Sequence, residues 1–370
     1  MELREYRLDE VTINFDKKRV PLSGAQRKNR QGKYRYYGAQ GIIDYIDDFI
    51  FDGTYLLIAE DGENLKSKKQ NIAQVVEGQF WVNNHAHVVQ GNGLCDTRYL
   101  CYLLNSMDLS GYVTGSAQPK LSQANLNAVT LYLPSVIEQM KIAKYLYMFD
   151  KKIAVNQRIN DNLAALLQCV YQQQFGNTLE SASTGQLAGI CDYSRDKVAV
   201  STLTPSTYYS TENMLTEKAG AVEASSLPTV AQTTKCAVGD VLISNIRPYF
   251  KKIVYCQSEC GCSTDVLCFH PKTPDLSAYL FCTLYADCFF DFMVAGSKGT
   301  KMPRGDKQQI MTYMVNIPSS DELCKFNAVA VPVLSHMESN RVENLRLSAL
   351  RNTLLPRLMS GELDVSNLDL

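Results

Sequence analysis

Apolar residues recur with two different periods along the chain, and the longer pattern occurs twice. From Leu133 the sequence LPSVIEQMKIAKYLYMFDKKIAVNQRINDNLAALLQCVYQQQFG spaces Ile142, Leu146, Phe149, Ile153, Leu163, Leu167 and Val170 by fours and threes, with Asn156 and Asn160 continuing the stripe. From Ile317 the sequence IPSSDELCKFNAVAVPVLSHMESNRVENLRLSALRNTLLPRLMSG keeps the phase at an offset of 184 residues: Phe326, Ala330, Val333, Met337, Asn340, Asn344, Leu347, Arg351 and Leu354. Only Arg351 departs from apolar or Asn character. A 3.5-residue stripe over about 40 residues describes a helix whose seam packs on another helix, each about 60 Å long.

The ends of both helices are marked. A proline precedes each, Ser135 and Ser319 stand as N-caps, and Glu138 and Glu322 follow three residues on, the pattern of a capping box. Gly176 and Gly361 close them, and Leu358, one residue past the regular pattern, reads as a fraying end. Each helix follows a stretch of about 130 to 140 residues, so an antiparallel pair is the natural closure. That pairing brings the central asparagines together. Polar residues in a seam lower stability and fix register, so Asn156, Asn160, Asn340 and Asn344 are read as register residues; the alternative is a hydrated stretch of helix.

Shorter runs have strand character: TYLLIAED, FWVNNHAHVV, DVLISNI and VLCFH, bounded by Gly and Asn turns. Residues 97–105 and 276–290 read as helices. Landmarks recur in the same order in both halves: GTYLLI from Gly53 with GDVLIS from Gly239, Tyr99-Leu with Tyr279-Leu, and GSAQPKL from Gly115 with GSKGTKM from Gly296. The expected fold is α+β, with two similar mixed α/β domains separated by two long antiparallel helices that form a coiled-coil-like spacer. The boundaries are 1–132 for the first domain, 133–176 for the first helix, 177–316 for the second domain, 317–361 for the second helix and 362–370 for a tail.

Composition narrows the function. The 370 residues are 45% hydrophobic and 20% charged with a formal charge of −1, which is globular composition for more than one core. A near-neutral total rules out holding nucleic acid by bulk positive charge and leaves local patches open. Such a patch exists: residues 17–35 carry eight basic residues and no acid, whereas residues 44–63 carry seven acids and no base. With Tyr34, Tyr36 and Tyr37 interleaved, the basic stretch suits phosphate contact with some base-edge readout; the other reading is a solvated loop balanced by its acidic neighbour.

Metal and catalytic signals are weak. Twelve cysteines are about 3% of the chain, and without a secretion signal reduced thiols are expected. The cluster Cys256, Cys260, Cys262 and Cys268 lacks paired C-x2-C knuckles and reads as small core residues. His85 and His87 in NNHAH project from one face of the expected strand, yet no Cys or carboxylate lies close enough in sequence to complete a metal site, which favours hydrogen bonding. Glu60, Asp61 and Glu63 lack the companion lysine motif of a nuclease. No metal or cofactor is expected. There is no run of about 18 uncharged apolar residues and no apolar leader, so a cytosolic chain without a membrane span is expected.

The stretches YRYYGAQGIIDYIDDFIFDGTYLLIAEDGENL, FWVNNHAHVV, YYSTENM and GSKGTKMPRGD, together with the two long helices, resemble the DNA-specificity subunit of type I restriction-modification systems. The resemblance extends over essentially the whole chain. It implies two target-recognition domains that each read one half of a split, asymmetric site in double-stranded DNA, with the helices as a ruler between them. It also implies docking of two methyltransferase subunits and, in the larger complex, of restriction subunits that translocate and cleave. A non-catalytic role agrees with the lack of [DN]-P-P-[YF] and of G-x-x-x-x-G-K-[ST], and GNG from Gly91 is too short for a dinucleotide fingerprint. The alternatives are a stand-alone metal-dependent DNA endonuclease and a scaffold that does not read DNA. The expected DNA contacts are Lys17, Lys18, Arg19, Arg27, Lys28, Arg30, Lys33 and Tyr36, with Gln118 and Lys120 in the GSAQPKLS loop. In the second half they are Arg247, Lys298, Lys301, Arg304 and Lys307, the last four in a Gly-rich run whose following helix offers its N-terminus to phosphate.

Overall fold

The computed structural model describes residues 2–67, 70–115, 118–176 and 183–365. The chain forms two compact units: unit one is Met1–Lys152 with Arg346–Leu370, and unit two is Ile153–Leu345. The division differs from the sequential partition expected above, because each long helix gives one part of itself to each unit. The first helix is Val136–Tyr171, continued by a π-helical turn Gln172–Gly176, and the second is Ser320–Met359. Both begin with the expected capping box: the Glu138 carboxylate accepts from Ser135 N–H at 3.0 Å, and that of Glu322 from Ser319 N–H at 2.8 Å.

Unit one contains β1 (Arg4–Arg7), β2 (Thr12–Asn14), β3 (Gln31–Gly38), β4 (Gly41–Ile46), β5 (Phe51–Ala59), β6 (Ala73–Val82), β7 (Ala86–Gly91) and β8 (Thr130–Leu133). β1 pairs with β8, and the others form one sheet in the order β2-β7-β5-β6-β3-β4. In the β5–β6 ladder Gly53 faces Gly78, both with positive φ (132° and 80°), a geometry that only glycine adopts without strain. FWVNNHAHVV, expected as a single strand, is the end of β6 and the start of β7, broken by a turn in which Asn83 accepts from His85 N–H at 2.8 Å. On one side of the sheet the helix Thr97–Ser106 buries Tyr99, Leu100 and Leu104 against Leu56, Ile58 and the seam residues Ile142 and Leu146.

The end of the second helix joins this core. Leu358, expected to fray, is 3% exposed and packs there with Met359 and Val365. The chain reverses at Gly361 (φ 78°), and Leu363 N–H reaches Arg357 O at 3.1 Å, which ties residues 361–363 to the end of the helix. Arg351, the one irregular seam residue, pairs with Asp150, which also accepts from the Tyr102 hydroxyl at 2.5 Å.

Unit two contains β9 (Thr184–Gln186), β10 (Cys191–Tyr193), β11 (Lys197–Ala199), β12 (Tyr208–Tyr209), β13 (Gln232–Cys236), β14 (Val241–Ser244), β15 (Ile253–Tyr255), β16 (Cys260–Cys262), β17 (Val266–Pro271) and β18 (Met314–Asn316). The pair β18-β9 and the sheet β10-β17-β14-β15 repeat, strand for strand, β8-β1 and β2-β7-β5-β6 of unit one. The expected helix 276–290 is two helices, Ser277–Tyr285 and Asp287–Ala295, broken at Ala286, whose ψ of 142° is extended. They are apolar because they fill the core with Leu167, Phe175, Phe326 and Ala330. Among the described residues no single helix is long and apolar enough to cross a membrane. Outside the shared frame the units differ: unit one adds the β3-β4 hairpin to its sheet, whereas unit two builds a separate sheet β11-β13-β16-β12.

Within unit two the helices run antiparallel, with the central asparagines in contact. Asn156 Nδ2 donates to Asn344 Oδ1 at 2.9 Å and to Glu343 Oε2 at 2.7 Å, and Asn340 Nδ2 donates to Asn160 Oδ1 at 2.8 Å. The offset of 184 maps Asn156 to Asn340 and Asn160 to Asn344, so the two amide–amide bonds are copies related by a local two-fold axis. Asn156 Oδ1 is buried without a partner, the condition in which a polar group lowers stability. Replacing Asn156 and Asn340 together by Leu is expected to raise the melting temperature and to add an intermolecular species in light scattering. A more stable protein that stays a single monomer would show that these residues do not set the register.

Candidate nucleic-acid interface

The shared frame places two turns side by side in each unit. In unit one the turn after β5 meets the loop 114–120: Asp61 and Thr114 both form bridges with Lys120, and Gly62 N–H donates to Pro119 O at 3.2 Å. In unit two Ile246 and Lys298 both form bridges with Arg304, and Arg247 N–H donates to Pro303 O at 2.8 Å. The two loops superimpose in sequence at the helix offset of 184. Gly115 (φ 83°) therefore corresponds to Gly299 (φ 99°) and not to Gly296, and Lys120 corresponds to Arg304. The caps fix that phase: Ser122 caps Gln123–Asn127, and Asp306 caps Lys307–Met311. Ser116 and Ala117 of the first loop lie outside the described residues.

Arginines and lysines of the basic stretch behave differently. Arg19 is 14% exposed and bonds Glu60 Oε2 at 2.9 Å and Ala86 O at 2.8 Å. Arg27 pairs with Asp44 at 2.9 Å, donates to Leu22 O and lies over the Tyr36 ring. Arg30 pairs with Asp47 at 2.9 Å and lies over Trp81. These three hold the basic stretch to the acidic one, so the charge balance seen in the sequence is an internal ion-pair lattice. Tyr36, expected at the surface, is fully buried, and its hydroxyl accepts from Leu22 N–H at 2.9 Å, which removes it from contact with any ligand. Lys17, Lys18, Lys28 and Lys33 are exposed and form no ion pair among the described residues.

His85 and His87 also separate. His85 lies in the turn and bonds Asp61 at 2.7 Å, whereas His87 is buried between Asp16 Oδ2 at 2.6 Å and Leu121 O at 2.8 Å. Burial opposes ionisation of Asp16, but the His87 bond, the Val88 N–H at 2.8 Å and the Arg19 charge hold its carboxyl below the ordinary value of 3.8. Lys120 joins the same cluster through Glu60 at 3.3 Å, so the structure brings Arg19, Lys120 and both histidines to one end of the unit-one frame. Gln118 is exposed beside them, and Ser122 caps the following helix.

In unit two Arg304 pairs with Asp265 at 3.0 Å and Lys298 with Asp306 at 2.5 Å, while Lys301 and Lys307 are exposed. The helix after this loop offers no free N-terminus. It has five residues, and the Asp306 carboxylate already accepts from Gln308 and Gln309 N–H at 3.0 and 3.3 Å. Arg247 is left-handed (φ 52°, ψ 63°), and its Nε is buried without a partner. Holding a non-glycine residue there costs about 1 kcal/mol or more, and the Pro303 bond supplies part of the constraint. The sequence signalled neither this conformation nor the mutual saturation of the acidic and basic turns.

The cysteines Cys256, Cys260, Cys262 and Cys268 are buried with Cys236 in a small core of unit two. Elsewhere burial pushes the Cys101 and Cys191 thiols up to about 12, so they act as small hydrophobes at neutral pH. Among the described residues no three His, Cys, Asp or Glu side chains have the arrangement a metal ion needs.

Residues 2–165, which hold nearly all of the unit-one frame, match the family described as the type I restriction modification DNA specificity domain. This part of the chain is similar to that family. Two curated relatives agree with the assignment. The "Putative type I restriction enzyme specificity subunit S.HindORF215P" of Haemophilus influenzae is 34% identical over 139 residues, 38% of this chain and 35% of the relative. The EcoprrI specificity subunit of Escherichia coli is 32% identical over 125 residues, 34% and 30% of the two chains. The aligned stretches thus span about a third of these relatives' length. The crystal structure of the type I restriction-modification S subunit from M. genitalium shares the fold across both units, with a TM-score of 0.61 at 13% identity over 97% of this chain and 96% of that one. The family resemblance drawn from the motifs is borne out, and the α+β fold with two long helices agrees with that structure.

Two measurements separate structural from exposed charges in the specificity domain. Arg19→Ala, which strands Glu60 and Asp16, is expected to lower unfolding free energy by about 3 kcal/mol, against about 0.5 or less for Lys17→Ala; equal urea midpoints for the two variants would contradict the lattice. Because Asp16 titrates lower folded than unfolded, its stabilisation is complete above the unfolded value of 3.8 and is lost as pH falls through the folded value. Asp16→Asn is therefore expected to be less stable than wild type at pH 7, with the difference shrinking below about pH 4; a gap that is constant from pH 7 to pH 3 would overturn the assignment.

Proposed function

We propose that the chain is a non-catalytic DNA sequence-specificity subunit of a type I restriction-modification complex. Each recognition domain reads one half of a bipartite, asymmetric site in double-stranded DNA, and the helix pair sets the spacing. One observation carries this reading: a single frame, with the same two turns joined by the same hydrogen bonds, is used twice, while the elements inserted into it differ. Equal scaffolds with unlike surfaces suit the reading of two different half-sites. Lys17, Lys18, Lys28 and Lys33 in the first domain, and Lys301, Lys307 and the loop bases Lys298 and Arg304 in the second, supply phosphate contact. Gln118, Lys120 and Arg247 lie beside them for base edges.

Catalysis belongs to partners. Two methyltransferase subunits dock on the helices and flip and methylate one adenine per strand, and restriction subunits join the larger complex. Docking is supported by the apolar stripe Ile137, Met140 and Met148 on the first helix, 70%, 56% and 55% exposed in unit one. A chain that acts on cellular DNA with these partners works in the cytoplasm. With a formal charge of −1 on the whole chain, weak and salt-sensitive DNA binding by the isolated chain is expected.

The test is co-expression with a type I methyltransferase subunit that assembles with the chain, followed by mapping of modified adenines. A bipartite motif is expected. Inserting one heptad at facing positions of both helices adds about 10 Å, roughly three base pairs, and should lengthen the spacer with both half-sites intact. An unchanged spacer would remove the ruler role, and a wild-type pattern without a bipartite motif would return the chain to a scaffold.

A further inference from the structure

The groups expected to read bases in the first domain are mostly occupied by one another: Glu60 with Arg19 and Lys120, and Asp61 with His85. Besides Gln118 in the neighbouring loop, a further polar side chain at this end is not. Gln40, in the turn between β3 and β4, is exposed and makes no hydrogen bond to a described residue. Its place is fixed by Gly62 (φ 126°): a Cβ built there would lie 3.5 Å from Gln40 Nε2 and 2.9 Å from Asn64 Oδ1. Gln40 therefore stands beside the turn that carries Asp61 and meets Pro119. Asn64, 3% exposed, has neither amide atom paired, so hydrogen-bonding capacity beneath Gln40 is unfilled within the protein.

The hairpin adds an apolar surface to this amide. Ile42 and Ile43, which begin β4, are 44% and 49% exposed on an edge strand, where consecutive bare isoleucines are otherwise a liability. A two-stranded ribbon fits the major groove of B-DNA. There a primary amide can bond adenine bidentately, its oxygen accepting from N6–H and its nitrogen donating to N7, and an aliphatic side chain can rest on the thymine methyl. Unit two has no counterpart in its sheet: β12, which takes the place of β3 as the parallel neighbour, is followed by the isolated bridge Met214–Ala221 and not by a paired edge strand.

We propose that Gln40 is a specificity-determining residue that reads the adenine of one A·T pair in the half-site of the first domain, with Ile42 against the thymine methyl. The inference rests on the DNA-reading role proposed above. It is tested in the full chain, co-expressed with the methyltransferase subunit and scored by mapping modified adenines, for wild type, Gln40→Ala and Gln40→Glu. Gln40→Ala is expected to relax one A·T position of one half-site by on the order of tenfold, leaving the other half-site and the spacer unchanged. Gln40→Glu is expected to move that position toward C·G, since a carboxylate accepts from cytosine N4 and repels adenine N7. An unchanged motif in both variants overturns the assignment of Gln40 while the bipartite reading stands. Loss of all methylation by Gln40→Ala without a base shift in Gln40→Glu overturns it too, whereas absence of a bipartite motif in wild type overturns the reading beneath it.

Discussion

Each long helix has to bury one part of its seam in unit one and the other part in unit two, and the rest of the structure follows from that constraint. Ile142 and Leu146 of the first helix close the core of unit one with Leu358 of the second, while Leu167 closes that of unit two with Phe326 and Ala330. Burying such side chains stabilises by about 2 kcal/mol each, and that sets which faces of the helices turn inward. It does not set the register, because a slip by one heptad exchanges one apolar residue for another. The asparagines are suited to that role: a slip would separate Asn156 from Asn344 and Asn160 from Asn340, leaving buried amides opposite hydrocarbon.

Local signals were legible in the sequence because they act over short distances. The capping boxes at Ser135 and Ser319, the heptad phase and the copy of both asparagines depend on residues three, four or seven apart, and the structure has all of them. Long-range order was read less well. The Gly-Ser dipeptides at Gly115 and Gly296 drew the loops three residues out of phase, whereas the caps Ser122 and Asp306 set the true offset of 184. FWVNNHAHVV kept its apolar character through a turn, so two strands looked like one, and the break at Ala286 carries no proline or glycine to announce it. Leu358 looked terminal only because the reversal at Gly361 that returns the chain to the core lies beyond the heptads.

The candidate interface was legible as charge and not as chemistry. Counting Lys with Arg made residues 17–35 one basic patch, but the planar guanidinium forks of Arg19, Arg27 and Arg30 turn to carboxylates and carbonyls, and the strongly hydrated ammonium groups stay in water. The acidic stretch is the partner that makes this sorting possible. A ligand approaching unit one therefore meets lysines around a rigid, internally neutralised platform.

One layer of the seam breaks the two-fold relation and makes the helices distinguishable. Asp150 and Arg351 pair in unit one, and the offset of 184 maps them onto Leu334 and Leu167, which share the core of unit two. The same seam position is thus ionic in one unit and apolar in the other. If two copies of the first helix paired by the same symmetry, Asp150 would face Leu167. Two copies of the second would set Arg351 against Leu334. Either arrangement leaves a half-buried charge without its counterion, a cost of about 1 kcal/mol that the intrachain pair avoids. The amide contacts would survive both exchanges, since Asn156 and Asn160 have the same spacing as Asn340 and Asn344. The kept asparagines are thus suited to fix register, and the Asp150–Arg351 layer to favour the intrachain pair.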